Sequence, residues 1–466
     1  QILTEVSGED GAASKTGRFL AGSSGPFGGG GGGASSNGTA EQIWKVLIYD
    51  EVGRDIIAPL MKVTELRRAG VTLHLLLSSK RQPVPDVPAV YFVAPTEENI
   101  QRICEDCASL LYDSLYLNFT TSLPRPLLER LAESTLKSGT WQRLCGVSDT
   151  YCSYVSLERD LFSLNIKDSY FSLNNSKLTD KQVEANVEIV LSGILSVLVT
   201  LGVVPIIRTQ RGGPAEMIGT MLCSRIRELL VGRDNIFTEG KRGALAQDRP
   251  LLVLLDRNID LPVMLHHTWT YQALTHDLLG LELNRVTIPK RENDTLPSKS
   301  YDLDPSDFFW ATNAGKPFPR VAEAVEAALT SYQREVEEVN RQAGAVGEFL
   351  DEASLSAAAS KEASGTGNLA MAIARLPELR KKKNIIDMHT NIATALLDHI
   401  KDRGLDGFFQ LEDQMMSTKA VEKEAIISLI QDSKGSVADK LRLVLIYSLC
   451  SHDTSSTSLT QCRKIL

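Results

Sequence analysis

His266, His267 and His276 stand in a stretch that also holds Asp256, Asp260 and Asp277, residue types that bind divalent metal or pass protons. Together they outline a metal- or phosphate-dependent enzyme using the Asp256 to Asp277 region. Their spacing speaks against it. A helix brings two imidazoles to one face only at three or four residues' separation, whereas His267 and His276 are nine apart and Trp269 and Tyr271 interleave with core-type residues. The expectation is that these groups are structural, with no catalytic residue, no bound metal and no cofactor. The element that would position them begins at Pro250, where an apolar run, Leu251 to Leu255, ends in Asp256-Arg257-Asn258-Ile259-Asp260. An unbroken apolar run predicts a buried strand of a parallel sheet covered on both faces, and ligand sites of such sheets lie beyond the strands' carboxyl ends.

Other candidate chemistry is weaker. The predicted first strand, Trp44 to Tyr49, runs into Asp50-Glu51-Val52-Gly53, which lacks the G-x-G-x-x-G a dinucleotide's pyrophosphate requires. Asp50 has no adjoining acidic pair to hold magnesium, as a phosphoacceptor would need. Gly212-Gly213-Pro214 reads as a turn and a helix's first residue rather than an anion site. Cys104 and Cys107 form a lone C-x-x-C inside an amphipathic helical pattern and read as core thiols.

The 466 residues suffice for two or three domains, and a net charge of −8 gives no electrostatic reason to expect nucleic acid. Seven cysteines without a secretory signal predict reduced thiols in the cytosol. Ile189 to Ile207 is uncharged and long enough to cross a bilayer. However, Ser192, Ser196 and Thr200 draw a polar stripe along it, and Gly202 and Pro205 break it before a Val203 to Ile207 strand. A buried helix is expected there.

Taken in order, residues 1–41 contain a Gly run without apolar periodicity and predict a disordered tail. Strands at Trp44 to Tyr49, Val71 to Leu77, Ala89 to Val93 and Leu115 to Phe119 alternate with helices at Asp55 to Ala69, after Thr96 and after Pro124. This alternation predicts an α/β, doubly wound parallel-sheet first domain over 42–150. A second α/β domain is expected over 151–300, with a helix from Ala215 to Leu230 and another from Thr275 to Leu283. A mainly helical third domain follows over 301–466. There Phe308, Phe309 and Trp310 dock the chain, and Val321, Val325, Ala328, Tyr332, Val336 and Val339 make one helical stripe. Ile385, Met388, Ile392, Leu396 and Ile400 make a second, so that a long helical hairpin is joined by an Ala/Ser/Gly-rich, mobile connection at 343–368. Arg380 to Lys383 reads as a solvated helix face.

Four blocks carry a family resemblance: Trp44-Lys45-Val46-Leu47-Ile48-Tyr49-Asp50, Asp86 to Val93, Pro250 to Asp260 and His389-Thr390-Asn391-Ile392-Ala393-Thr394-Ala395. With His266 to Tyr271, they resemble the SM (Sec-one/Munc-eighteen) family of syntaxin-binding proteins, nearest its ER-to-Golgi branch. The resemblance implies an arch-shaped, non-enzymatic protein, a monomer in the cytoplasm that reaches ER and Golgi membranes through SNAREs. It would bind a syntaxin and promote assembly of SNARE complexes. It further implies a pocket for an amino-terminal syntaxin peptide lined by Leu128, Leu131, Ala132, Leu144 and Val147, with Leu131 on an exposed apolar helix face. Asp50, Arg54, Lys62 and Phe318 would face SNARE helices in a cleft. Family members also begin with a short helix where this chain has its Gly-rich tail, and they continue past the point matching Leu466. The second sheet is therefore expected to keep an unpaired edge.

Overall fold

The computed structural model describes residues 44–231, 236–237, 249–289, 298–304, 306–342, 367–418, 423–432 and 434–450. The tail expected at 1–41 lies outside these residues, as does the connection expected at 343–368 except for its last two residues, which open a helix. The chain divides into two units, residues 1–256 and 257–466. Residues 257–300 thus belong with the helices that follow them, not with the second α/β segment.

The first unit is built on five parallel strands: β1 (Lys45–Tyr49), β2 (Val71–Leu76), β3 (Ala89–Val93), β4 (Leu115–Phe119) and β5 (Leu144–Asp149), in the order β2-β1-β3-β4-β5. Every residue of β3 is buried, as a strand with helices on both faces requires. The helix expected from Asp55 to Ala69 is instead two helices, α1 (Glu51–Ile57) and α2 (Val63–Arg68). Pro59 explains the break, since it offers no N–H to continue the helical ladder. Thr96 caps α3 (Glu97–Ala108) by accepting from the Asn99 amide at 3.2 Å, and Pro124 leads α4 (Arg125–Lys137). Ile100, Ile103 and Cys107 of α3 and Leu131 of α4 pack in one core with Leu115, Leu117 and Phe119 of β4. Burial pushes the Cys107 thiol up to about 12, so it behaves as a core residue and not as a nucleophile.

A short ribbon, β6 (Val155–Ser156) with β7 (Phe162–Ser163), and α5 (Ser169–Asn174) lead to α6 (Asp180–Leu201), which covers most of the uncharged stretch. By length and composition α6 could cross a membrane; here Val187, Leu191, Leu195 and Leu198 are buried, the last three in one core with Leu222 and Ile226 of α7 (Pro214–Val231). The polar stripe runs from buried to exposed: Ser196 is fully buried with its hydroxyl donating to Ser192 O, and the exposed Thr200 donates to Tyr151 O. β8 (Ile206–Thr209) pairs in parallel with β9 (Leu251–Leu254). β9 is parallel as expected but not covered on both faces: Leu251 and Val253 are half-exposed while Leu252 and Leu254 are more buried.

The second unit opens with α8 (Leu261–Leu265) and α9 (Tyr271–Leu279), then an antiparallel pair, β10 (Arg285–Ile288) with β11 (Lys299–Asp302). Short α10 (Phe308–Asn313) buries Phe309 and Trp310 and leaves Phe308 exposed. The two long helices are α11 (Phe318–Gln342) and α12 (Gly367–Arg403), which pack against each other as the two apolar stripes require. Ile392, Leu396 and Ile400 join a core completed by α13 (Leu405–Thr418), α14 (Lys423–Gln431) and α15 (Val437–Cys450).

Candidate functional site

At the carboxyl end of β1, Asp50 caps α1. Its Oδ1 accepts from Gly53 N at 2.7 Å, and its Oδ2 accepts from Ala94 N at 2.9 Å and Asn99 Nδ2 at 2.8 Å. Both oxygens are occupied where β1 and β3 part, so Asp50 ties the sheet to α1 and α3. Gly53 is required beside it, because a Cβ there would lie 2.3 Å from Phe92 O. Arg54 pairs with Asp55 at 2.9 Å, and Lys62 stands at the cap position just before α2, where its backbone N–H donates to Glu65. In the second unit Phe318 is 3% exposed within the core, which removes it from any SNARE-contacting surface.

Most residues of the enzyme alternative are engaged in structural bonds, His266 Nε2 being buried without a hydrogen-bond partner among the described residues. Asp256 accepts from Ala215 N at the start of α7, Asp260 caps α8 through Val263 N, and Asp277 pairs with Arg442 at 2.8 Å. His276 Nδ1 lies 3.0 Å from Leu281 O. His267 is buried between two carboxylates: Nδ1 is 2.8 Å from Glu412 Oε1 and Nε2 is 3.1 Å from Asp439 Oδ1, with Arg403 also donating to Asp439. Burial pulls its pKa down, but the hydrogen bonds to Asp439 and Glu412 outweigh burial and hold it above its ordinary value. Burial opposes ionisation of Asp439, yet bonds from His267, Arg403 and Ser436 hold its carboxyl far below the usual range. A second buried line joins the Tyr271 hydroxyl to His389 Nδ1 at 2.9 Å and His389 Nε2 to Asp307 Oδ2 at 3.0 Å. Asp307 Oδ1 in turn accepts from Phe309 N and Trp310 N. These polar lines pin helices together. Among the described residues no group of three or more His, Cys, Asp or Glu is placed to hold a metal.

The surface of α4 and β5 is different. Leu131 is 1% exposed and faces the sheet, so the expectation that it lies on the exposed face of α4 is corrected. The face beside it carries Leu128 (43% exposed), Ala132 and Leu136 (65% exposed), at i, i+4 and i+8. On the far flank Arg130 reaches Glu97 of α3 at 2.6 Å. The apolar flank therefore lies away from α3 and overlooks the edge strand β5. Val147 pairs in register with Leu117 and so projects from the same side of the sheet as the α4 core, where it remains 39% exposed. Leu144, partly buried, closes the inner end against that core. Trp141, 55% exposed, stands between helix and strand. Of the five expected pocket residues, the structure leaves Leu128, Ala132 and Val147 accessible and Leu144 partly so, with Leu131 beneath them. Leu136 and Trp141 were missed, although the four-residue spacing from Leu128 was a readable signal for Leu136.

Comparison with known proteins decides the family, since the Sec1 family matches residues 45–466. This chain belongs to the Sec1 family. Among Sec1 relatives, the human Sec1 family domain-containing protein 1 is 44% identical over 453 residues, covering 92% of this chain and 69% of the human protein. The SEC1 family transport protein SLY1 of Arabidopsis thaliana is 43% identical and covers 91% of this chain and 66% of its own length. A crystal structure of Sly1p in complex with an N-terminal peptide of Sed5p superposes with a TM-score of 0.70 at 34% identity, covering 91% of this chain and 65% of that one. The SM protein Vps45, at 20% identity and a TM-score of 0.73, shares the fold. The chain spans about two thirds of the length of these Sec1 relatives.

Proposed function

We propose that this chain is a non-enzymatic, SNARE-binding regulator of vesicle docking and membrane fusion in ER-to-Golgi transport, and that it grips a syntaxin-type SNARE by its amino-terminal peptide on the α4–β5 surface. The observation that carries this reading is the accessible apolar set Leu128, Ala132, Leu136 and Val147 on a helix flank facing an edge strand. A relative 34% identical was solved with an N-terminal peptide of Sed5p, which supplies the kind of ligand that fits it. Apolar anchors on such a surface concentrate binding energy in a few side chains. The partner is membrane-bound, so the protein works from the cytoplasm as a peripheral component of ER and Golgi membranes, as a monomer, without a cofactor and without nucleic acid. Asp50, Arg54 and Lys62 are proposed on the first unit as a weaker SNARE-facing region. Arg54 and Lys62 are exposed, whereas Asp50 is only partly so.

Calorimetric titration with a synthetic Sed5p amino-terminal peptide tests the reading. Leu128→Lys places a charge that must be desolvated without a partner, so affinity should fall by about 2 kcal/mol or more while the thermal melt stays in place. Equal affinity of wild type and variant would place the peptide elsewhere.

A further inference from the structure

Arg81 lies in the connection between β2 and β3, yet its side chain is only 6% exposed. Its Nη2 donates to Asp106 Oδ1 of α3 at 2.8 Å, and the Tyr91 hydroxyl of β3 donates to Asp106 Oδ2 at 2.8 Å. Tyr112, 1% exposed, meets Tyr91 edge-to-face with ring centroids 6.4 Å apart. Three polar atoms of this cluster, Arg81 Nε, Arg81 Nη1 and Tyr112 Oη, are buried without a hydrogen-bond partner among the described residues. They share one neighbourhood: burial raises the Tyr112 pKa, the charge of Arg81 lowers it and the charge of Asp106 raises it. The connection is fastened beside them, since Val84 N donates to Leu111 O at 2.7 Å and Asp113 N to Val87 O at 3.3 Å.

A donor buried without a partner gives up its hydration for nothing in return, and two of these atoms stand on one guanidinium, whose nitrogens only donate. The cluster therefore calls for an acceptor. An anion fits poorly, because Asp106 already balances the Arg81 charge and a further negative charge would be buried without a cation. Water fits, since it accepts from the guanidinium and donates to the phenol oxygen, as internal waters do when they join about three buried polar groups. We infer that the first unit holds an ordered internal water between the Arg81 guanidinium and the Tyr112 hydroxyl, a ligand that completes the Arg81–Asp106–Tyr91 cluster and locks the β2–β3 connection onto α3. Tyr91, Tyr112 and Cys107 belong to the core that also takes in Leu131, so the site is built into the support of α4.

Crystals of the full chain grown in chloride and in bromide test the site. The expected result is a water-sized density peak within hydrogen-bond distance of Tyr112 Oη and of Arg81 Nε or Nη1, with no anomalous signal in bromide. An anomalous bromide peak there would overturn the water in favour of a halide, and direct pairing of these atoms with protein groups would remove the site altogether. Tyr112→Phe keeps the ring and deletes the oxygen, so its crystals should lose the peak. Oxygen-17 relaxation dispersion of the two proteins in solution should then count one long-lived internal water fewer in the variant. A peak retained at full strength in Tyr112→Phe, or an unchanged count, would overturn the bridge to Tyr112.

Discussion

Nε2 of His267 lies 3.1 Å from Oδ1 of Asp439, a residue 172 positions later, and both side chains are almost wholly buried. Glu412 holds the other ring nitrogen, and Arg403 donates to Asp439, so a histidine just past α8 and an arginine of α12 meet two carboxylates of α13 and α15. Arg442 also acts on His267, and the adjacent His266 is influenced by Glu412, Asp413 and Arg442. Burial lowers the His266 pKa below its ordinary value.

This pair makes the second unit's stability depend on pH in two directions. His267's folded pKa is raised, so its contribution is fully present below the unfolded value of about 6.5 and is lost as pH rises through the folded pKa. Asp439's folded pKa is depressed, so its contribution is present above the unfolded value of about 3.9 and is lost as pH falls. Hydrogen exchange of Leu405–Thr418 and Val437–Cys450, corrected for intrinsic rates, should show highest protection near pH 5 to 6 and a decline toward pH 8. In His267→Ala the two buried carboxylates lose the imidazole, while Asp439 keeps Arg403 and Ser436 and Glu412 keeps the backbone N–H of residue 267, so the cost should be about 2 to 3 kcal/mol. A protection profile flat from pH 5 to 8 in the wild type would count against the paired imidazolium.

Leu131 and Leu128 sit one helical turn apart and should respond in opposite ways. Leu131→Lys puts an unpaired ammonium into the core of the first sheet, and the first unit should lose about 4 kcal/mol, seen as a collapsed melt. Leu128→Lys should leave the melt nearly unchanged. Equal melts for the two variants would show that α4 is rotated from the orientation described.

The turn after β1 is similarly sensitive. Gly53→Ala drives a Cβ toward Phe92 O, and Asp50→Ala strips the cap from α1 along with the bonds to Ala94 and Asn99. Each should destabilise the first unit by about 2 kcal/mol, measurable by urea denaturation. A neutral Gly53→Ala would mean that the strand end gives way at little cost.

Phe318→Ala should lower the stability of the second unit by about 3 to 5 kcal/mol, because it removes a ring 3% exposed at the start of α11. SNARE peptide affinity of the first unit should be unaffected at temperatures below the melt. Calorimetry of unfolding beside peptide titration separates the two effects, and a wild-type melt would show that this ring is not core.

The amino-acid order by itself determined the elements whose signals are local. Ala89–Val93 and Leu115–Phe119 were legible to the residue, because each is a short apolar run bounded by turn residues. The stripes at Val321 to Val339 and Ile385 to Ile400 marked α11 and α12 through a period that only a helix satisfies. The blocks that resemble the SM family identified the family, and with it the class of partner. Tertiary structure alone decided which of two neighbouring leucines on α4 is accessible, since Leu128 and Leu131 are chemically identical and only the position of α3 and the sheet distinguishes them. It also decided that Leu251 and Val253 stay half-exposed, because a strand's cover depends on what packs over it and not on its own apolar content. The same holds for His267. Its partners Glu412 and Asp439 come from helices more than a hundred residues away, and only the packing that brings α15 against α8 and α13 against α15 turns a histidine spaced like a poor metal ligand into a buried, doubly paired imidazole.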